Sequence, residues 1–334
     1  MNVGIYIRDY MEDPHRSIHQ QIEEAAEVCR LASSLGFWAI YTPQHYIGYP
    51  SVWLQPLQIL ARLAPDAQGM KLITGIILLP YHNPVDIAEQ TVTLDHISNG
   101  RFILGVGLGY REKELEAFGT NRRGRVSRFE ESLHLMKLLW SGEEVTFQGK
   151  HWRVHEGRLS WTPVQKPHPP IWIAAQSRGA VHRAALMGDA CVIGPQPNWD
   201  DFHYLARLYR ESLAELGKEG QGLLAANRSI TIDRNRDRAI RDALAAGEAK
   251  AAQYRGFEMQ ERTTVDFGLA GGRPLPQWAI TGTPEECVEL ISRCHEEDGL
   301  EFIGLACLNL PKEHSARLEY VQMIGEEFVR KLPA

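Results

Sequence analysis

Residues 72–119 read LITGIILLPYHNPVDIAEQTVTLDHISNGRFILGVGLGYREKELEAFG. Two apolar runs, Leu72 to Leu79 and Phe102 to Val106, each end in a loop marked by glycine or proline and then pass into a helical pattern. Two successive strand–helix units are the building block of a parallel sheet or barrel. The first run is apolar at nearly every position, the pattern of a strand covered on both faces. Thr74 and Gly75 interrupt it, and a polar residue beside a glycine in a buried strand demands a local reason. A glycine bulge would supply one. A non-prolyl cis peptide, which costs about 3–4 kcal/mol and persists where a site requires it, would supply another.

The same alternation extends in both directions. VGIYI (3–7) and WAIYT (38–42) precede these units, while IWIAA (171–175), CVIG (191–194), SITID (229–233) and FIGLA (302–306) follow them. Helical patterns fall between the strands, near 54–63, 178–187, 200–216, 236–253 and 284–296. Thr283-Pro284-Glu285-Glu286 is a capping box with proline at the first helical position, and Asn83-Pro84 opens the helix whose inner face is Ile87, Thr91, Leu94 and Ile97. Eight strand candidates in 334 residues predict one α/β domain spanning 1–334, a (β/α)8 or TIM barrel. Residues 141–169, with VTFQ, HWRV and four prolines, break the alternation and predict an inserted hairpin and loop. The stretch near 254–280, rich in glycine and aromatics, predicts a long lid-like loop. A doubly wound open sheet competes, but GVGLGY (105–110) lacks the third glycine of a dinucleotide fingerprint and sits at the fourth strand.

Composition narrows the partners. A charged fraction of 23%, a net charge of −6 and the lack of a basic run with interleaved aromatics argue against nucleic acid. The opening MNVGIYIRD meets Arg8 and Asp9 too early for a signal-peptide core, and no stretch approaches the ~20 apolar residues of a membrane span. Five scattered cysteines with no CxxC pair indicate a reducing compartment, and a cytoplasmic location is expected. His15 with His19 and His151 with His155 are spaced i, i+4, yet neither pair has a third ligand at a suitable spacing, so no metal is expected.

In such a barrel, chemistry belongs at the C-terminal ends of the strands. That rule gathers Arg8 and Asp9, then Gln44, His45 and Tyr46, the run Thr74 to His82, Gly107 to Tyr110, Gln176 with Ser177, Gly194 with Gln196, Asp233 and Asn309. His45 is a candidate acid, base or charge stabiliser because imidazole titrates near neutrality. Ser177, between a strand and an alanine-rich helix, reads as an N-cap or as part of a phosphate site at the helix N-terminus. It is also one glycine short of a nucleophile elbow, but His295 and His314 lie within or at the start of helices, where neither completes a hydrolase triad.

The chain resembles the bacterial luciferase-like flavin-dependent oxidoreductases, through GFWAIYTPQH, TGIILLPYHNP, LDHISNGRFILGVGLGYREKELEAFG, RFEESLHLMKLLWSG and PVQKPHPPIWIAAQSRGAVHRAALMGDA in that order and spacing. This resemblance implies a (β/α)8 barrel and a flavin-type cofactor. It implies a cis bond at Gly75–Ile76 under the ring, with Thr74 at the ring's polar edge. Gly107, Gly109 and Tyr110 would be neighbours of the cofactor, and Gln176 and Ser177 its main phosphate contacts, because Leu108 stands where luciferase carries an arginine. His45 matches the family's catalytic histidine, with Tyr46, Tyr110 and His82 as helpers, and Trp53 with the 254–280 loop as an apolar wall or lid. The family's acid before that histidine is here Gln44, which leaves the histidine without an acid next to it in sequence. Asp95, Ser98 and Arg101 are read as helix-end and turn structure. The implied function is a monooxygenase that takes reduced FMN from a separate flavin reductase and uses O2 on a small apolar organic substrate. Hydride transfer with F420 on the same barrel is the alternative, and a flavin-binding barrel without catalysis is a second. The family's members are commonly homodimers.

Overall fold

The computed structural model describes residues 1–256 and 278–333. The first half of the chain alternates β1 (Asn2–Tyr6), α1 (Ile18–Leu35), β2 (Ala39–Thr42), α2 (Pro56–Leu63), β3 (Lys71–Thr74), β4 (Ile77–Leu78), α3 (Pro84–Ile97), β5 (Phe102–Gly107), α4 (Glu112–Ala117) and α5 (Arg125–Trp140). The hairpin β6 (Val145–Gln148) and β7 (Arg153–Gly157) is inserted there, antiparallel and separate from the main sheet. The alternation resumes with β8 (Ile171–Ala175), α6 (Arg178–Met187), β9 (Ala190–Ile193), α7 (Trp199–Glu215), β10 (Leu223–Ile232), α8 (Arg236–Gly256), β11 (Ala279–Gly282), α9 (Pro284–Asp298), β12 (Leu300–Cys307) and α10 (His314–Glu327).

The sheet closes on itself. β1 pairs with β2 on one side and β12 on the other, and the circuit runs through β3, β5, β8, β9 and β10 back to β12, all parallel. β3 and β4 count as one barrel strand interrupted at Gly75–Ile76, so the barrel has eight, as the sequence predicts. Two boundaries differ from expectation. β10 begins at Leu223, because its first half pairs with β9 while its second half pairs with β11. β11 itself, the apolar Ala279-Ile280 run ending at Gly282, starts inside the stretch read as a lid, and α8 enters that stretch from the other side. The remainder of the predicted lid, 257–277, lies outside the described residues.

Side chains on the outer face of the strands pack under the helices, and the inner face is filled low in the barrel by Tyr41, Ile73, Ile103, Trp172, Val192 and Phe302. Trp38 stacks on Trp172 with ring centroids 6.1 Å apart. Two glycines make room for these rings. A Cβ at Gly4 would come within 2.6 Å of Phe302, and one at Gly304 within 2.8 Å of Tyr41. The filled base leaves the opposite, C-terminal end for ligands.

Helix starts follow their caps. The Asn83 side chain accepts the Val85 amide at 2.9 Å ahead of Pro84, and Thr283 and Glu286 form the reciprocal capping box. Ile97, expected on the inner face of α3, is instead exposed, because the buried face runs from Leu94 through Asp95 to Ser98. Asp95, Ser98 and Arg101 are turn structure: Asp95 receives the Gln165 amide and side chain at 3.0 and 2.7 Å, and Ser98 accepts the Arg101 amide at 3.2 Å. Arg101 donates to the carbonyls of Ala64, Ala67 and Met70 at and beyond the end of α2.

Candidate active site

The floor is built from backbone. The peptide bond between Gly75 and Ile76 is cis. β3 leaves its ladder with β5 after Ile73–Ile103, and β4 rejoins it at Ile77–Val106. Across the gap the Thr74 hydroxyl donates to the Gly105 carbonyl and accepts the Gly105 amide, both at 2.9 Å. A threonine therefore replaces the two ladder bonds lost at the bulge, which explains a polar residue in a buried strand. Thr74 is fully enclosed and its hydroxyl is committed to Gly105. On the other side the Gly75 amide donates to the Thr42 carbonyl at 2.8 Å and the Gln44 amide to the Ile76 carbonyl at 3.1 Å. The glycines of β5 serve the same bulge: a Cβ at Gly105 would sit 1.9 Å from the Thr74 carbonyl oxygen, and one at Gly107 2.0 Å from the Ile76 side chain. Gly109 takes a φ of +72°, with Tyr81 against its Cα, and its carbonyl accepts Arg125 Nη1 at 2.5 Å.

Beside this floor stands His45, on the loop after β2. Its Nδ1 is 2.9 Å from Glu114 Oε1. The same oxygen accepts the Tyr46 amide at 2.9 Å and Arg111 Nη1 at 2.7 Å, while Tyr81 Oη reaches the other oxygen at 3.4 Å. Glu114 is wholly buried. Burial alone raises its pKa, but the His45 hydrogen bond and charge, the Tyr46 amide and Arg111 outweigh that and hold it below the usual carboxylate range. An ionised carboxylate can only accept, so Nδ1 of His45 carries the hydrogen in this pair. Trp53 and Tyr110 meet the imidazole edge-on, with ring centroids at 4.6 and 5.6 Å. Arg111 also donates to the carbonyls of Tyr46 and Ile47, tying the loop to the start of α4.

The absence of an acid beside His45 in sequence is thus corrected in space. Glu114 supplies the carboxylate from 69 positions away. Three acids stand in Glu112-Lys113-Glu114-Leu115-Glu116, and sequence does not choose between them. The usable signal is the i, i+3 spacing of Arg111 and Glu114, since those two are buried while Glu112 and Glu116 are exposed.

Gln44 has a different task. Its Oε1 accepts the Leu78 amide at 3.0 Å, which fixes the amide's orientation, and Nε2 of His82 donates to the same oxygen at 2.9 Å. Its Nε2 donates to Tyr46 Oη and Gln55 Oε1 at 2.9 and 3.0 Å. All four hydrogen-bonding positions of this amide are used, where a carboxylate could offer no donor. Burial pushes the pKa of His82 down to about 4, with Asp86 opposing, so this ring is neutral at physiological pH. Tyr46 turns into this network and packs on Phe118 at 4.4 Å between centroids. Burial and Glu114 raise its phenol to about 12.

At the far end of the face, Gln176 and Ser177 are exposed at the start of α6, and Ser177 stands at the N-cap position without its side chain capping an amide. Gln176 donates to the Gln196 side chain, which comes from the loop after β9. The helix N-terminus there keeps its attraction for an anion. These features fit a planar ring with an anionic tail. The bulge at Gly75–Ile76 would support such a ring, with Ile76 and Tyr81 filling the space beside Gly107 and Gly109 and a narrow cavity lined by Tyr41, Thr74, Gly75, Ile76 and Asn227 beneath it. Among the described residues no group of three or more His, Cys, Asp or Glu side chains could hold a metal, and no helix is long and apolar enough to cross a membrane.

The closed parallel sheet, with its helices outside and its open end at the C-terminal ends of the strands, defines a TIM-barrel protein. Residues 1–301 match the Luciferase-like monooxygenase family, and the chain belongs to it. That family uses FMN or F420. Limonene 1,2-monooxygenase of Rhodococcus erythropolis is 32% identical over 301 residues, 86% of this chain and 74% of that enzyme. The oxygenase component of the flavin-dependent trigonelline monooxygenase of Acinetobacter baylyi is 28% identical over 178 residues, 53% of this chain, and the match spans about half (49%) of that protein. Among solved structures, the monooxygenase RslO1 of Streptomyces bottropensis shares the fold at a TM-score of 0.84 and 22% identity, covering 99% of both chains.

Proposed function

We propose that the chain is a monooxygenase that receives reduced FMN from a separate reductase and, with O2, oxygenates a small apolar organic substrate. The observation that carries this reading is the His45–Glu114 pair beside the Gly75–Ile76 floor. Bound reduced flavin supplies the two electrons that reduce O2, one oxygen atom passing to the substrate and the other to water. Gly75 and Ile76 would support the ring, Gly107 and Gly109 would be its neighbours, and Gln176 and Ser177 would hold its phosphate. His45 would exchange a proton with the ligand, and Glu114 would keep its ring oriented. Trp53 and Tyr110 form an apolar wall that keeps water from the reacting atoms. The name of the Acinetobacter relative, an oxygenase component, supports a second protein as the electron source. A second copy of this chain is the other proposed partner.

The alternative is hydride transfer with F420, which the family also uses, and one relative is named a reductase. A 5,10-methylenetetrahydromethanopterin reductase of Archaeoglobus fulgidus is 24% identical over 91% of this chain. Anaerobic titration with reduced FMN and with F420, followed by admission of O2 and a substrate screen, separates the two. Reduced FMN binding and O2-dependent product support the monooxygenase. Tight F420 binding with no response to reduced FMN and O2 overturns it.

A further inference from the structure

Outside the mouth of the barrel, one buried charge has no role in the chemistry described above. Arg228 lies on β10 and is fully enclosed. Its Nη1 donates to the Gly194 carbonyl at 2.7 Å, and its guanidinium is packed against Trp199 and Phe202 of α7, with Cζ 4.7 and 5.1 Å from their ring centroids. Among the described residues its nitrogens meet only the carbonyls of Gly194 and Asn227, while Nε and Nη2 are buried without partners. Burial lowers its pKa to about 10, which still leaves it charged at neutral pH. A guanidinium enclosed without a carboxylate is less stabilising than an apolar side chain of the same volume. Its contribution is therefore to be sought in what it holds.

What it holds is the turn after β9. Gly194 is packed so tightly that a Cβ there would lie 2.2 Å from Gln176 Nε2 and 2.9 Å from Gln196 Oε1. The Gly194 carbonyl, gripped by Arg228, thus sets the backbone against which the Gln176–Gln196 pair rests, at the entrance to the α6 N-terminus. The aromatic packing fixes the guanidinium plane, and the plane fixes the direction of its bond. We infer that Arg228 is a positioning residue for the phosphate end of the cofactor site, acting through Gly194 on Gln176 and Gln196 without touching the ligand. This inference rests on the reading that a flavin phosphate binds there.

The test compares two ligands that differ only in the phosphate. Reduced FMN and reduced riboflavin are titrated anaerobically into the wild type and into Arg228→Met, which keeps the volume and removes the charge. The expected result is a loss of about tenfold in FMN affinity, unchanged riboflavin affinity, and a melting temperature equal to or above that of the wild type. Equal losses for both ligands, or no loss for either, overturn the inference. A wild type that binds both ligands equally removes the phosphate reading itself, and the inference with it. Should the methionine variant fail to fold, Arg228→Lys, which keeps the charge but shortens the reach and loses the planar stack, is judged by the same FMN-to-riboflavin ratio.

Discussion

The floor at Thr74–Ile76 and the pair at His45 lie side by side but are assembled differently. The floor is joined by hydrogen bonds between adjacent strands, with Thr74 replacing two backbone ladder bonds and Gly105 and Gly107 yielding space. His45 depends on one carboxylate from α4, and that carboxylate also carries Tyr46 and Arg111. The first region is rigid because many backbone groups share it. The second is a single carboxylate on which four donors converge, three of them on one oxygen. Damage to the floor should therefore appear as lost stability, and damage to the pair as lost turnover.

The largest effect expected is at the pair. His45→Asn should lower turnover by about 10²–10⁴-fold while reduced flavin still binds, since a general acid or base contributes on that scale. Glu114→Gln should follow the same direction, because the amide keeps one accepting oxygen but loses the negative charge and puts a donor in place of the other oxygen. Single-turnover kinetics at fixed pH make the measurement, and a His45→Asn variant with unchanged turnover would remove the catalytic assignment. At the floor, Thr74→Val leaves the Gly105 amide and carbonyl unpaired in a dry interior. A loss of about 2–4 kcal/mol in urea unfolding is expected. A change below about 0.5 kcal/mol would show that the bulge does not need its hydroxyl, since surface-like tolerance ends near that value.

A smaller effect comes from pH. His82 has its folded pKa lowered to about 4 from 6.5, so the unfolded chain binds a proton that the folded one refuses in that window. Stability is therefore complete above 6.5 and declines as pH falls toward 4, by about 1–3 kcal/mol. His82→Gln should flatten this part of the curve in thermal melts taken from pH 7.5 to 4.5. An unchanged slope would assign the acid sensitivity elsewhere, Glu114 being the next group to lose its contribution at lower pH, because its folded pKa lies below the ordinary carboxylate value. The smallest effect is at Tyr46. Tyr46→Phe removes an acceptor for Gln44 and should cost about 1 kcal/mol with turnover within about threefold of wild type, because this phenol faces Gln44, His82 and Phe118. A large fall in turnover would bring Tyr46 into the chemistry.

The fold was legible because its signals are local and repeated. Apolar runs such as Phe102 to Val106, caps such as Asn83-Pro84 and Thr283-Glu286, and turn residues such as Arg101 each follow from a few neighbouring residues. The cis bond was expected from a glycine in a buried strand together with a family resemblance, and Gly75–Ile76 is cis. β11 was missed because four residues that pair only with half of β10 resemble the end of a loop.

The site divides along the same line. His45, Gly107, Gly109 and Ser177 could be placed at the mouth from their positions after strands, since barrel topology sends those positions to one end. The chain's order alone determined the barrel, its open end and the residues displayed there. Only the tertiary structure decided that Glu114, not residue 44, backs His45, that Thr74 is spent on Gly105, and that Arg228 grips Gly194. Those pairings join residues 69, 31 and 34 positions apart, and their strength depends on burial and on distances near 3 Å. A sequence carries the identity of such groups, but the low-dielectric contact that gives them their chemistry exists only after the barrel has closed.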